Sequence, residues 1–118
     1  MKIIAYDRFK PGVTMDTIQP LLPLEVANVW WLWKAGIVRE NYARADEPGV
    51  VIVFELDNVE QAKLYVADFP MSKAGYLEWF YIPLQAPLPI ESLMVPLYIH
   101  VSHLGLHIRC ASNVHEIV

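Results

Sequence analysis

Arg39, Tyr42 and Arg44 fall within a stretch that reads as a β-strand, and Glu55 ends the strand expected to pair with it. Strand periodicity puts Val38, Glu40, Tyr42 and Arg44 on one face, and Arg39 and Asn41 on the other. Both faces are expected to be buried, so a charge in mid-strand needs a partner. Two readings follow. In one, Arg39 or Arg44 pairs across strands with Glu55. In the other, an arginine and a tyrosine point into an apolar pocket and hold a carboxylate or an enolate oxygen. A fixed donor at a developing oxyanion is worth about 3–4 kcal/mol, enough to matter in an enolisation.

Glu25 is the candidate proton acceptor. At ~100° per residue it lies about 85° from the centre of its helix's apolar stripe, so it borders the core. It is either a first-turn glutamate that favours the helix N-terminus, or a general base whose pKa is raised by Trp30 and Trp33. Asp7 and Glu78 are further carboxylates on strands, and solvated strand-end charges explain both about as well as a role at a site. Tyr6, Trp79 and Tyr81, with Tyr76 and Phe80, supply aromatic walls for a core, a dimer interface or a ligand. The candidate ligand-lining set is Tyr6, Trp30, Trp33, Glu55, Trp79 and Tyr81.

The elements that must position these residues are readable. Residues 2–9 form a strand closed by Lys10-Pro11-Gly12. Pro20 and Pro23 break the next segment, because each lacks an N–H for the helical ladder. A firm helix then runs from about Leu22 to Ala35, with Leu22, Val26, Val29, Trp30 and Trp33 as its apolar stripe and Gly36 just past its end. Residues 37–45 and 50–56 form a hairpin around Asp46-Glu47-Pro48-Gly49. Val50 to Phe54 runs apolar without alternation, as a strand buried on both faces does. Asp57-Asn58-Val59-Glu60-Gln61 opens a second helix with a side-chain cap and an acidic first turn; Val59, Ala62, Val66 and Phe69 line it and Pro70 ends it. A fourth strand covers 76–83. The order β-α-β-β-α-β is the ferredoxin-like arrangement, an α+β fold. Two helices cover one face of such a sheet. A second copy of the chain is the simplest cover for the other, which makes a dimeric α/β barrel or a higher homo-oligomer.

The stretch Leu24-Glu25-Val26-Ala27, then Ala35 to Asp46, then Gly49-Val50-Val51-Ile52-Val53-Phe54-Glu55, with the later Phe69-Pro70, resembles the muconolactone isomerase-like group of small dimeric α/β-barrel proteins. The resemblance covers roughly residues 1–90. The hairpin turn departs from that group's pattern in holding no histidine. Muconolactone isomerase moves a double bond in an unsaturated lactone by proton transfer, without a cofactor. The resemblance thus implies a cofactor-free isomerase or lyase acting on a small lactone or enolisable acid. It also ranks Glu25 first as the base, from its place on the first helix, with Arg39, Tyr42 or Arg44 at the oxyanion. Two other readings stay open: a non-catalytic barrel that binds a small apolar ligand, and a cofactor-independent monooxygenase.

The remainder bounds the answer. The 118 residues suit one principal domain, expected over 1–94, with a C-terminal extension over 95–118 that packs on it or on a partner. The extension holds all four histidines and Cys110. Its alternating Val95–Val101 and Leu104–Cys110 stretches read as short strands. On a strand, His103 and His107 lie roughly 13 Å apart, too far for one metal ion, so no metal site is expected. Apolar residues make up 55% of the chain and charged residues 19%, and the net charge is −4. The scattered Lys and Arg argue against nucleic acid. Glu25, Asn28 and Lys34 interrupt the greasiest stretch, which argues against a membrane span. A single cysteine and no signal-like leader point to the cytoplasm.

Overall fold

The computed structural model describes residues 1–87 and Met94. The chain divides into two compact units, Met1–Gln85 and Ala86–Val118, and the described residues lie almost wholly in the first. The expected boundary at 94/95, the tail strands, the four histidines and Cys110 fall outside them.

Unit Met1–Gln85 is an α+β, ferredoxin-like fold. Four strands, β1 (Lys2–Phe9), β2 (Val38–Ala43), β3 (Val50–Glu55) and β4 (Leu77–Pro83), form one sheet in the order β2-β3-β1-β4. Every neighbouring pair is antiparallel. Between β1 and β2 lie α1 (Met15–Ile18), a 3-10 turn (Gln19–Leu21) and α2 (Leu22–Lys34). The turn holds Pro20, and Pro23 sits in the first turn of α2, where its missing N–H leaves no gap in the ladder. Past the end of α2, Gly36 N–H donates to the Trp33 carbonyl and Ile37 N–H to the Leu32 carbonyl, both at 3.0 Å. That is the Schellman closure expected at Gly36. Between β3 and β4 lie α3 (Val59–Ala67) and α4 (Pro70–Lys73). The Asn58 side chain caps α3 by accepting from Gln61 N–H at 2.9 Å.

Two hydrophobic clusters hold the helices to the sheet. Ile3, Ala5, Val38, Ile52 and Phe54 on the strands meet Ala62, Val66 and Phe69, with Val29 and Leu32 of α2 against them. A smaller cluster joins Ile18, Met71 and Leu77, with Leu21 and Leu22. Both helices therefore cover one face. The other face carries two cross-strand rows. One runs Ile82, Ile4, Val53, Glu40; the other runs Phe80, Tyr6, Val51, Tyr42.

Three local expectations need correction. The β2–β3 register shifts between Val38 and Glu40. Val38 pairs with Phe54 on the helix side, and after the shift Asn41 and Ala43 pair with Ile52 and Val50 on that same side. One extra residue at Arg39 reverses the alternation, so Glu40 and Tyr42 lie on the face opposite Val38, the face that no described helix covers. Pro70 opens a helix rather than ending one, because α3 stops at Ala67 and proline is at home in a first turn. Finally, α2 buries no residue fully, and its stripe lines a cavity.

No helix among the described residues is long and apolar enough to cross a membrane.

Candidate functional site

The two clusters grip the α1–α2 segment at separate points. Ile18 and Leu22 are held at one end, Val29 and Leu32 at the other. Between them the helix stands off the sheet and leaves a cavity of about 590 Å³, within the range of small-molecule sites. Met15 and Ile18 of α1 and Leu22, Glu25, Val26, Val29, Trp30 and Trp33 of α2 form one wall. Asp7 and Phe9 of β1 and the hairpin residues Asn41, Ala43, Arg44, Pro48, Gly49, Val50 and Ile52 form the other. Phe69 and Met71 complete the lining. Val26, Trp30 and Trp33 are exposed large apolar residues, so they wall the cavity without being packed away.

Two carboxylates enter this apolar space from opposite walls. Asp7 occupies a helix-facing position in the series Ile3, Ala5, Asp7, and it is 3% exposed. Its Oδ1 accepts the Val50 N–H at 2.7 Å. The approach is close enough to dictate the neighbour. A Cβ at Gly49 would stand 2.9 Å from both the Asp7 carbonyl oxygen and Oδ1, and Gly49 has φ +156°. Burial pushes the Asp7 carboxyl above its ordinary range, opposed by the Val50 N–H, its own backbone N–H and the Arg44 charge. Glu25, on the helix wall, accepts the Met71 N–H on Oε2 at 2.8 Å, which satisfies a free donor in the first turn of α4. Burial also raises Glu25, the Met71 bond opposes it, and the Asp7 charge raises it further. The Asp7 charge therefore reaches Glu25.

Arg44 is the cation on the hairpin wall, and its charge is already engaged. Its Nη2 lies 2.6 Å from Asp46 Oδ2 and its Nη1 lies 2.6 Å from Glu47 Oε1. The same Glu47 oxygen accepts Arg8 Nε at 3.1 Å. Hydrogen bonding to Arg44 holds the Asp46 carboxyl below its usual range.

The sequence candidates separate cleanly. Glu25, Trp30, Trp33 and Arg44 line the cavity; Arg39, Tyr42, Tyr6, Glu55, Trp79 and Tyr81 do not. Arg39 is exposed beside the β2 irregularity. Tyr42 lies on the open face and donates to Glu40 Oε1 at 2.7 Å, which raises its hydroxyl pKa. Tyr6 stacks on Phe80 with ring centroids 5.1 Å apart. Glu55 is exposed, 3.8 Å from the Met1 amino nitrogen, and Arg44 takes its acidic partners from the hairpin turn instead. Trp79 packs edge-on to Phe69 and donates Nε1 to Ser72 Oγ at 2.9 Å. Tyr81 packs against the main cluster. Asp7 and Asn41 enter the site without having been singled out for it. The signal for Asp7 was its place in the period-two series behind Ile3 and Ala5; the signal for Asn41 was hidden by the register shift.

No protein-family model matches the chain, and no curated protein matches it in sequence. Solved structures do. The chain is similar to 5-chloro-2-hydroxyhydroquinone dehydrochlorinase from Burkholderia phenoliruptrix, solved in complex with 2,5-dihydroxybenzoquinone, at TM-score 0.62 and 16% identity, over 74% of this chain and 96% of that one. An uncharacterized NIPSNAP domain protein from Burkholderia xenovorans gives TM-score 0.40 at 16% identity, over 75% of this chain and 99% of that one. The first likeness supports the fold: the chain shares the small α+β, ferredoxin-like architecture of the dehydrochlorinase.

Proposed function

We propose that this protein is a cofactor-free isomerase or lyase that moves a proton on a small enolisable molecule held in the α2–hairpin cavity. One observation carries the reading: two carboxylates of raised pKa, Asp7 and Glu25, face one apolar space from opposite walls. Carboxyls shifted toward neutrality serve better in proton transfer than solvated ones. Glu25 takes the proton from the carbon beside a carbonyl, and the electron pair moves onto the carbonyl oxygen. The Asn41 amide presents an N–H donor to that oxyanion from the hairpin wall. Return of a proton at a second carbon shifts the double bond; departure of a leaving group completes an elimination. Proton movement is common to lactone isomerisation, which the sequence pattern suggests, and to the loss of hydrogen chloride named for the structural neighbour.

Deuterium incorporation followed by NMR in heavy water tests this. The substrates are muconolactone, an uncharged butenolide and a chlorinated hydroquinone. Glu25→Gln keeps an oxygen for the Met71 N–H but cannot accept a proton at working pH. Exchange should fall by about 10²–10⁴-fold. Exchange that survives the substitution removes Glu25 as the base. Ligand binding without any exchange supports the non-catalytic reading, which the apolar walls with Trp30 and Trp33 favour, and oxygen uptake would mark a monooxygenase.

The open face of the sheet is where a second copy belongs in this reading. Ile4, Tyr6, Val51, Val53, Phe80 and Ile82 lie there in register, opposite the helix-covered core. Sedimentation equilibrium should give twice the chain mass, and a single-chain mass at high concentration would remove the dimer.

A further inference from the structure

The charges around the cavity discriminate between possible ligands, and the argument rests on the cavity being a small-molecule site. Its lining includes two acids, Asp7 and Glu25, and one cation, Arg44, whose guanidinium also stands 5.9 Å from the Tyr6 ring. That cation stands in a row of four alternating charges, Arg8–Glu47–Arg44–Asp46, in which each arginine has a carboxylate within 3.1 Å. The row sums to zero. Arg44 is thus a poor receptor for a further carboxylate, since a bound anion must displace Asp46 or Glu47 before it gains a bidentate contact. The same anion would stand in an apolar space facing Asp7 and Glu25, where like charges are weakly screened. An oxyanion that develops only during reaction differs, because an oriented dipole such as the Asn41 amide stabilises it without a spare cation.

We propose that the cavity selects uncharged carbonyl- or hydroxyl-bearing rings against their carboxylated counterparts, and that Asp46 and Glu47 set this preference by occupying Arg44. The two acids are specificity-determining residues that need not touch the ligand. Aromatic and aliphatic walls from Phe9, Val26, Trp30 and Trp33 suit the ring.

A matched pair of probes, hydroquinone and 2,5-dihydroxybenzoate, differs by one carboxylate. Isothermal titration of the full chain at about pH 8, where carboxyl groups are ionised, should give hydroquinone at least about tenfold tighter binding. The Asp46→Asn, Glu47→Gln double variant should bind 2,5-dihydroxybenzoate about tenfold more tightly than the native chain does, with little change for hydroquinone. Both substitutions lie in a surface turn, and a thermal melt confirms that the variant is folded. Equal or tighter native binding of the carboxylate overturns the inference and leaves the cavity a ligand site. An unchanged preference in the double variant overturns the role of Asp46 and Glu47. Binding of neither probe to any form overturns both the inference and the reading it rests on.

Discussion

Each face of the sheet has a carboxylate that accepts one hydrogen bond of 2.7 Å: Asp7 from the Val50 N–H on the helix-covered face, and Glu40 from the Tyr42 hydroxyl on the open face. The bonds match in length and differ in consequence. Asp7 is 3% exposed, and its desolvation outweighs the donors that favour its charge. Tyr42 is 57% exposed, and the shift there falls on the phenol, because a neighbouring anion disfavours a second negative charge. Surroundings rather than bond geometry decide whether a carboxylate stores electrostatic free energy. The helix-covered face stores it at Asp7 and Glu25, and that is the physical case for reaction there.

The strongest way to break the contrast is through the backbone beside Asp7. Gly49→Ala puts a Cβ 2.9 Å from two oxygens of Asp7, at φ +156°. The conformational penalty alone is about 1–3 kcal/mol, and relief of the contact requires Asp7 or the hairpin to move. Urea unfolding should show a loss at the upper end of that range, together with weaker ligand binding. An alanine variant of native stability would mean that Asp7 is not seated against the hairpin.

A subtler effect comes from removing the charge and keeping the shape. Asp7→Asn retains an oxygen for the Val50 N–H. The folded-state pKa of Asp7 is raised above its ordinary 3.8. Its contribution to stability is therefore complete below that ordinary value and is lost as pH rises through the folded value. Asparagine has no proton to lose. Relative to the native chain, the variant should gain stability from about pH 3 to pH 7, read as the difference in urea midpoints. A difference that moves the other way would show that the Val50 bond to the charged carboxylate outweighs its burial.

The two faces also differ in how far the sequence discloses them. Element order, the proline break before α2, the Gly36 closure and a side-chain cap at the start of α3 were legible, because each depends on residues adjacent in the chain. Placing residues on the faces of β2 was not. Alternation is read by counting, and one bulged residue at Arg39 inverts the faces of Glu40 to Ala43 relative to Val38, so Tyr42 leaves the site and Asn41 enters it. Asp7 is the opposite case. Counting from Ile3 and Ala5 would place it on the buried face, and the usual preference of aspartate for solvent obscures that placement. Glu55 is a cross-strand partner the sequence offers to Arg39 or Arg44, whereas Arg44 takes Asp46 and Glu47, two and three residues away. The cavity itself depends on α2 being gripped by two separate clusters, a long-range property that no local pattern in the chain encodes.

The smallest effect belongs to the open face, and it is informative because it should be small. Tyr42→Phe removes the hydroxyl that bonds Glu40 and leaves both residues in contact with solvent. An exposed bond of this kind exchanges one water contact for another, so the expected loss is under about 0.5 kcal/mol. That holds for a single chain. If a second copy covers this face, the Glu40 carboxylate loses water as well, and removal of its donor leaves it poorly satisfied. The loss should then rise toward about 1–3 kcal/mol and depend on protein concentration, as it must when folding and association are linked. Unfolding of Tyr42→Phe at two protein concentrations a hundredfold apart therefore reads the hydrogen bond and the partner together. A small, concentration-independent loss leaves the face open to water, whereas a loss that depends on concentration puts Glu40 and Tyr42 beneath a second chain.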